Sequence, residues 1–287
     1  MTPGPAPGSA VEELLAEAHR SGDENDFETM AEVLRAGLER FEGDPYVLCW
    51  LGIAERELGM DGIAYERFKQ CLAAEPEDPF VLATAGTALA GFDDPDAEGA
   101  LRSAALLGPE VALARWMYGA YLTREGMVAE GVRELEAARE LDPEDAVVAY
   151  ELGVGRVLGG DFDRGAEELA RAAELDPEDG WVRVVLGLTL LEAERQDEAA
   201  IELEAGARLR PDDVEAQLLA ALALAAEGAE DRMWEMLERG RLHAGGTDRQ
   251  LVEAVDDRLG DGPDEAARLL RQDVAPPALR ERLATRP

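Results

Sequence analysis

Five prolines recur along the middle of the chain at nearly constant intervals. Pro76, Pro109, Pro143, Pro177 and Pro211 stand 33, 34, 34 and 34 residues apart. A fixed period of this length confines the fold to stacked copies of one small supersecondary unit, because each copy buries its apolar face only against the next. Three further series keep the same time. Gly52, Gly86, Gly119, Gly153 and Gly187 form one, and Ala64, Ala97, Gly131, Gly165 and Ala199 another. The large apolar residues Phe68, Leu101, Leu135, Leu169, Leu203 and Leu237 form the last. The single short step comes first in the alanine series and second in the glycine series. One residue is therefore missing between Gly86 and Ala97, in a turn predicted around Gly91 to Pro95, where a loop tolerates the loss.

Close packing of antiparallel helices accounts for the pattern: small residues let two axes approach, and large apolar side chains fill the gaps between them. Each phased proline is expected to start a helix, where its missing N–H costs nothing, often after an aspartate suited to capping. The stretch Tyr150 to Pro177 carries the unit most fully, with Leu152-Gly153, the turn Gly160-Asp161-Phe162, the small residue Gly165, Ala172 and the closing Asp176-Pro177. In these residues the chain resembles the tetratricopeptide repeat (TPR) family. Weaker copies reach about residue 274, with Ala18 and Ala220 or Ala221 in place of the first-helix glycine, so the ends read as caps or drifted repeats.

The resemblance implies an all-α, helix-turn-helix solenoid, a right-handed superhelix of about seven or eight helix pairs. Residues 1–10, rich in Pro and Gly, are expected to be a disordered tail, 11–274 the solenoid, and 275–287 a tail or short capping helix.

Composition narrows the partners. A net charge of −35 opposes a nucleic-acid or anionic-membrane surface and suits either a solvated outer face or a basic protein partner. Lys69 is the single lysine among 28 basic residues, and Ala and Gly abound, a composition read as that of a GC-rich bacterial genome. Cys49 and Cys71 make no disulfide framework, and MTPGPAPGSA lacks the basic and apolar regions of a secretory signal. These features point to a cytoplasmic protein.

Chemistry is sparse. Two histidines, His19 and His243, and three serines, Ser9, Ser21 and Ser103, cannot build a His-rich metal site or a compact nucleophilic triad, and both histidines are expected on helix surfaces. Gly153, Gly155 and Gly159 miss the dinucleotide spacing by one place, and Asp161, Asp163 and Gly165 miss the EF-hand pattern. No enzyme activity, cofactor or metal is expected.

What remains is the concave face that the first helices of TPR-like pairs line. At 3.6-residue spacing its stripe is Tyr46, Cys49, Ile53, Phe80, Trp116, Tyr150, Val154, Val157, Trp181, Val184, Leu188, Leu191, Leu218 and Leu222. It is apolar, with Arg56 its one candidate basic residue, unlike the basic groove with which one branch of the family clamps a peptide carboxylate. The stripe is either core or a groove covered by a partner segment, a second copy, or the chain's own tail from Pro276. The function expected is a scaffold or adaptor that receives an apolar or amphipathic segment, an amphipathic helix with basic flanks among them; self-association also fits. A chaperone or assembly factor holding a client segment and a regulatory subunit of an enzyme are the alternatives.

Overall fold

The structure, a computed structural model, describes residues 7–246 and 248–286. Seventeen α-helices occur among them and no strand. They follow one another as eight pairs: α1 (Pro7–Asp23) and α2 (Phe27–Leu38), α3 (Pro45–Glu57) and α4 (Asp61–Ala73), α5 (Pro79–Ala90) and α6 (Asp96–Leu107), α7 (Ala112–Arg124) and α8 (Val128–Leu141). The series continues with α9 (Ala146–Leu158) and α10 (Phe162–Leu175), α11 (Gly180–Glu192) and α12 (Gln196–Leu209), α13 (Val214–Ala226) and α14 (Glu230–His243), α15 (Asp248–Leu259) and α16 (Pro263–Leu269). A π-helical turn, Leu270–Val274, leads into α17 (Ala275–Ala284). The chain is thus an all-α array of helix pairs. The expectation for residues 1–10 falls mostly outside the described residues, and α1 begins at Pro7.

The glycine series does what the packing argument requires. A Cβ built on Gly52, Gly86, Gly153 or Gly187 would lie 2.8, 2.9, 2.8 or 2.6 Å from Phe68, Leu101, Leu169 or Leu203 respectively. Each first-helix glycine therefore faces the phased large residue of its own second helix, at a separation no Cβ accepts. Ala64, Ala97, Gly165 and Ala199, the small residues of the second helices, are buried in the same layer.

The phased prolines, by contrast, do not start helices. The helices begin three residues later in every case, at Pro79, Ala112, Ala146, Gly180 and Val214. In four of the five the reason is the set of orphan N–H groups at a helix start, which an aspartate satisfies and a proline cannot; α7 follows Val111 and has no such aspartate. Asp78 accepts from the N–H groups of Phe80 and Val81, Asp145 from Val147 and Val148, Asp179 from Trp181 and Val182, and Asp213 from Ala216. The aspartates before the prolines belong to the preceding turn: Asp142 accepts from the N–H of Glu144 and Asp176 from that of Glu178.

A further phased series emerges from the backbone. Asn25, Gly59, Asp93, Gly126, Gly160, Glu194 and Gly228 all have positive φ, at steps of 34, 34, 33, 34, 34 and 34 residues. Each reverses the chain between the two helices of a pair, where only the left-handed region closes the turn. The missing residue is thereby narrowed to the interval between Asp93 and Ala97.

Two compact units divide the chain between Tyr121 and Leu122, inside α7. In the first, α2 to α5 each pack on the helix before and the helix after. In the second, α9 to α13 follow the same rule, after which the chain doubles back: α16 packs on α13, and α17 on α11. The region expected as a tail or capping helix is a helix laid on the first-helix layer two pairs upstream. Among the described residues no helix is long and apolar enough to cross a membrane.

Candidate protein-binding face

In the second unit the expected stripe lies largely under cover. Val154, Val184, Leu188 and Leu222 are wholly buried, and Tyr150, Val157, Leu191 and Leu218 nearly so; Trp181 is half-buried. Helix-on-helix packing accounts for most of this, but α17 supplies part. Its Ala275, Ala278, Leu279 and Leu283 are buried in the same apolar cluster as α9, α11 and α13.

Two arginines anchor this helix. Arg282 Nη2 lies 3.0 Å from both carboxylate oxygens of Asp213 and 2.9 Å from Glu215 Oε2, which also accepts from Nε at 3.1 Å. Its guanidinium carbon sits 4.9 Å from the centre of the Trp181 ring, a cation–π contact, and Trp181 Nε1 donates to the Tyr150 hydroxyl at 3.0 Å. Arg286, just past the helix, donates from Nη2 to Thr123 Oγ1 at 2.9 Å and from Nε to Glu151 Oε2 at 3.3 Å. Both side chains of the Arg286–Glu151 pair are 3% exposed, and Arg124 holds the other oxygen of Glu151 at 3.3 Å.

The electrostatics follow from burial. At Asp213 burial pushes the carboxyl up, but Arg282, the Ala216 N–H and Arg210 outweigh it and leave the group below its ordinary range. At Glu215 burial wins over Arg282 and the carboxyl is raised. Burial likewise pushes the Tyr150 hydroxyl up to about 12 and lowers Arg286. Sequence periodicity found Tyr150 and Trp181 but missed Glu151, Asp213, Glu215, Arg282 and Arg286. Asp213 carried a signal, being the aspartate two places after a phased proline.

The first unit places its share differently. Cys49 is wholly buried, Ile53, Phe80 and Trp116 are half-buried, and Tyr46 is 37% exposed with its hydroxyl donating to Asp78 Oδ2 at 2.9 Å. Trp50, absent from the expected stripe, stacks on Phe80 with ring centres 5.2 Å apart, and His19 meets it edge-on at 4.2 Å. His19, expected on a helix surface, is half-buried against Trp50. Arg56 is exposed beside Glu57. Cys49 and Cys71 are free and buried, and Cys71 Sγ donates to the Pro45 carbonyl at 3.3 Å. The hydrogen bond with Cys71 and burial push the Cys49 thiol well up, away from a reactive thiolate. Among the described residues no group of three His, Cys, Asp or Glu side chains is placed to hold a metal.

No protein family profile and no curated protein sequence matches the chain. Solved structures do. A chain of the APC/C hetero-tetramer Cut9–Hcn1 aligns over 84% of this chain at 19% identity with a TM-score of 0.65, although this chain spans only 48% of its length. PilF of Pseudomonas aeruginosa aligns over 75% of this chain and 99% of its own, at 19% identity and a TM-score of 0.61. The C-terminal part of a TPR repeat-containing protein from Cytophaga hutchinsonii covers 81% of this chain and 97% of its own, at 15% identity and a TM-score of 0.56. At these identities the likeness is one of fold: this chain has a TPR-like array of helix pairs.

Proposed function

We propose that the chain is a non-catalytic protein-interaction scaffold or adaptor of the TPR kind, and that the first-helix face of its second unit is where it receives a helical segment. One observation supports this reading above others: that face already holds a helix, α17, seated by two leucines and two arginines. An array whose inner layer accommodates a helix in trans or in cis uses the helix-in-groove mode of recognition. The two reduced, buried thiols and the arginine-rich, Ala/Gly-rich composition support a bacterial cytoplasmic setting, and the net charge of −35 supports a protein partner over nucleic acid or an anionic membrane.

Affinity capture with the full chain tests it. Trp181→Ala, which removes the aromatic floor of the face, is expected to abolish capture of the main partner while leaving helicity intact, since aromatic anchors carry much of an interface's energy. Trp234→Ala, on the 46% exposed tryptophan of α14, is expected to leave capture unchanged. The opposite pattern would place binding on the outer layer and refute the proposal.

A further inference from the structure

The helix on this face has the wrong charge for the chain that carries it. Between Ala275 and Arg286 the charged residues are Arg280, Arg282, Arg286 and Glu281, three basic against one acidic, in a chain of net charge −35. Its anchors repeat as Leu279-x-x-Arg282-Leu283-x-x-Arg286. The leucines enter the apolar layer; Arg282 enters a socket made by Asp213, Glu215 and the Trp181 ring, and Arg286 a second socket made by Glu151 and Thr123. Glu151 is buried and shared with Arg124, and Asp213 and Glu215 are part-buried beside the Trp181 ring, so the face favours a helix with arginines at those two places.

This helix is joined to α16 through an irregular stretch of backbone. At the joint the Ala275 N–H reaches back five residues to the Leu270 carbonyl, and Pro276 and Pro277 contribute no N–H at all. The π turn and the two prolines leave fewer regular helical hydrogen bonds where α17 begins, so the joint between it and α16 is the weak point of an otherwise continuous helix. The buried Arg286–Glu151 pair and the part-buried Arg282 pairs select a partner more than they stabilise it.

From this charge complementarity and this irregular joint we infer that α17 is a resident stand-in for a partner: the second unit's face is a receptor for amphipathic helices of other proteins bearing Leu-x-x-Arg-Leu-x-x-Arg, and α17 leaves its seat when one binds. The inference rests on the scaffold reading and adds the code that the face reads. Competition follows directly. The apparent affinity for an incoming helix is its intrinsic affinity reduced by the fraction of chains whose seat is vacant.

The test uses the full chain and, as probe, a fluorescent synthetic peptide of residues 273–286, read by anisotropy. The chain carrying Arg282→Gln and Arg286→Gln, whose own tail holds less firmly, is expected to bind the peptide at least about tenfold more tightly than the parent. A peptide with glutamine at both arginines is expected to bind that chain at least about tenfold more weakly, and adding Glu151→Gln, Asp213→Asn and Glu215→Gln to the chain should remove the difference between the two peptides. Equal binding of the two peptides would overturn the arginine code while leaving the scaffold reading intact. Failure of both peptides to bind, with helicity retained, would overturn both. Hydrogen exchange on the unaltered chain tests the joint without any variant: residues 278–284 are expected to exchange through local opening while α11 stays protected. Exchange of the two only together would show α17 to be permanent core and refute the inference. A dimer formed through exchanged tails at high concentration would make a second copy the occupant and likewise refute it.

Discussion

Gly153 shows how much a single atom decides here. Its missing Cβ would sit 2.8 Å from Leu169 Cγ and 3.1 Å from the Gly165 carbonyl, so Gly153→Leu is expected to cost about 1–3 kcal/mol or more, read as a lower urea midpoint. Glu167→Gln, on the exposed side of the same pair, should stay within about 0.5 kcal/mol. Glu194 makes the opposite case, because it is an exposed residue held at φ 60° in a place where Gly59, Gly126, Gly160 and Gly228 stand in other repeats. Relief of that strain, less the extra freedom glycine gains in the unfolded chain, should make Glu194→Gly stabilising by about 0.5–1 kcal/mol in the same assay. At this scale the sequence was legible wherever a residue's role repeated. The glycine series and the large apolar series were both visible as rhythms, and the fixed internal geometry of a helix pair is what sets Gly52, Gly86, Gly153 and Gly187 against Phe68, Leu101, Leu169 and Leu203. The prolines misled by three residues, because their regularity marks the turn while the aspartate that caps the helix is the chemically active member of it.

Among the elements, α17 was the least legible. Pro276 and Pro277 announced a break, and the sequence offered its own tail as one of three covers for the groove, but nothing local could pair Arg282 with Asp213 or Arg286 with Glu151, which lie 69 and 135 residues away. Those pairings arise only when the chain doubles back. Their pH behaviour can be worked out in sign. Asp213 is held below its ordinary value of 3.8, so its contribution is present above that pH and is lost as pH falls through the lower folded value. Glu215 is raised above 4.5, so its contribution is full below that pH and is lost as pH rises through the higher folded value. At pH 7, therefore, Asp213→Asn is expected to lower the urea midpoint and Glu215→Gln to leave it level or raise it, with the Asp213→Asn deficit closing as pH falls below 3.8. Glu151→Ala removes the buried carboxylate from Arg286 and is expected to speed amide exchange of residues 278–284.

For the whole molecule, an array of contacts between neighbours does not oblige its two units to melt together. Cys49 and Cys71 lie in the first unit, so their reaction with a thiol reagent reports its opening, while amide exchange in α11 reports the second. The two midpoints along a urea titration are expected to differ; coincidence would show one cooperative transition. Added salt should raise both, because a net charge of −35 is self-repulsive and screening relieves it. The tail has a consequence at this scale as well. Its two arginines stand four residues apart, Arg286 just past the helix end, yet dock on α9 and α13, which are two pairs apart with α11 between them. Side-chain reach closes that span for one spacing only. Excising residues 179–212, a full period, would keep every helix in phase and bring the two docking points together by a whole layer, roughly 8–10 Å. The shortened array would still stack, but its last helix could not fill both points at once. The tail is in this sense a gauge: it fits only an array with the right number of rungs, and gain or loss of a rung by unequal recombination would leave the chain folded but open.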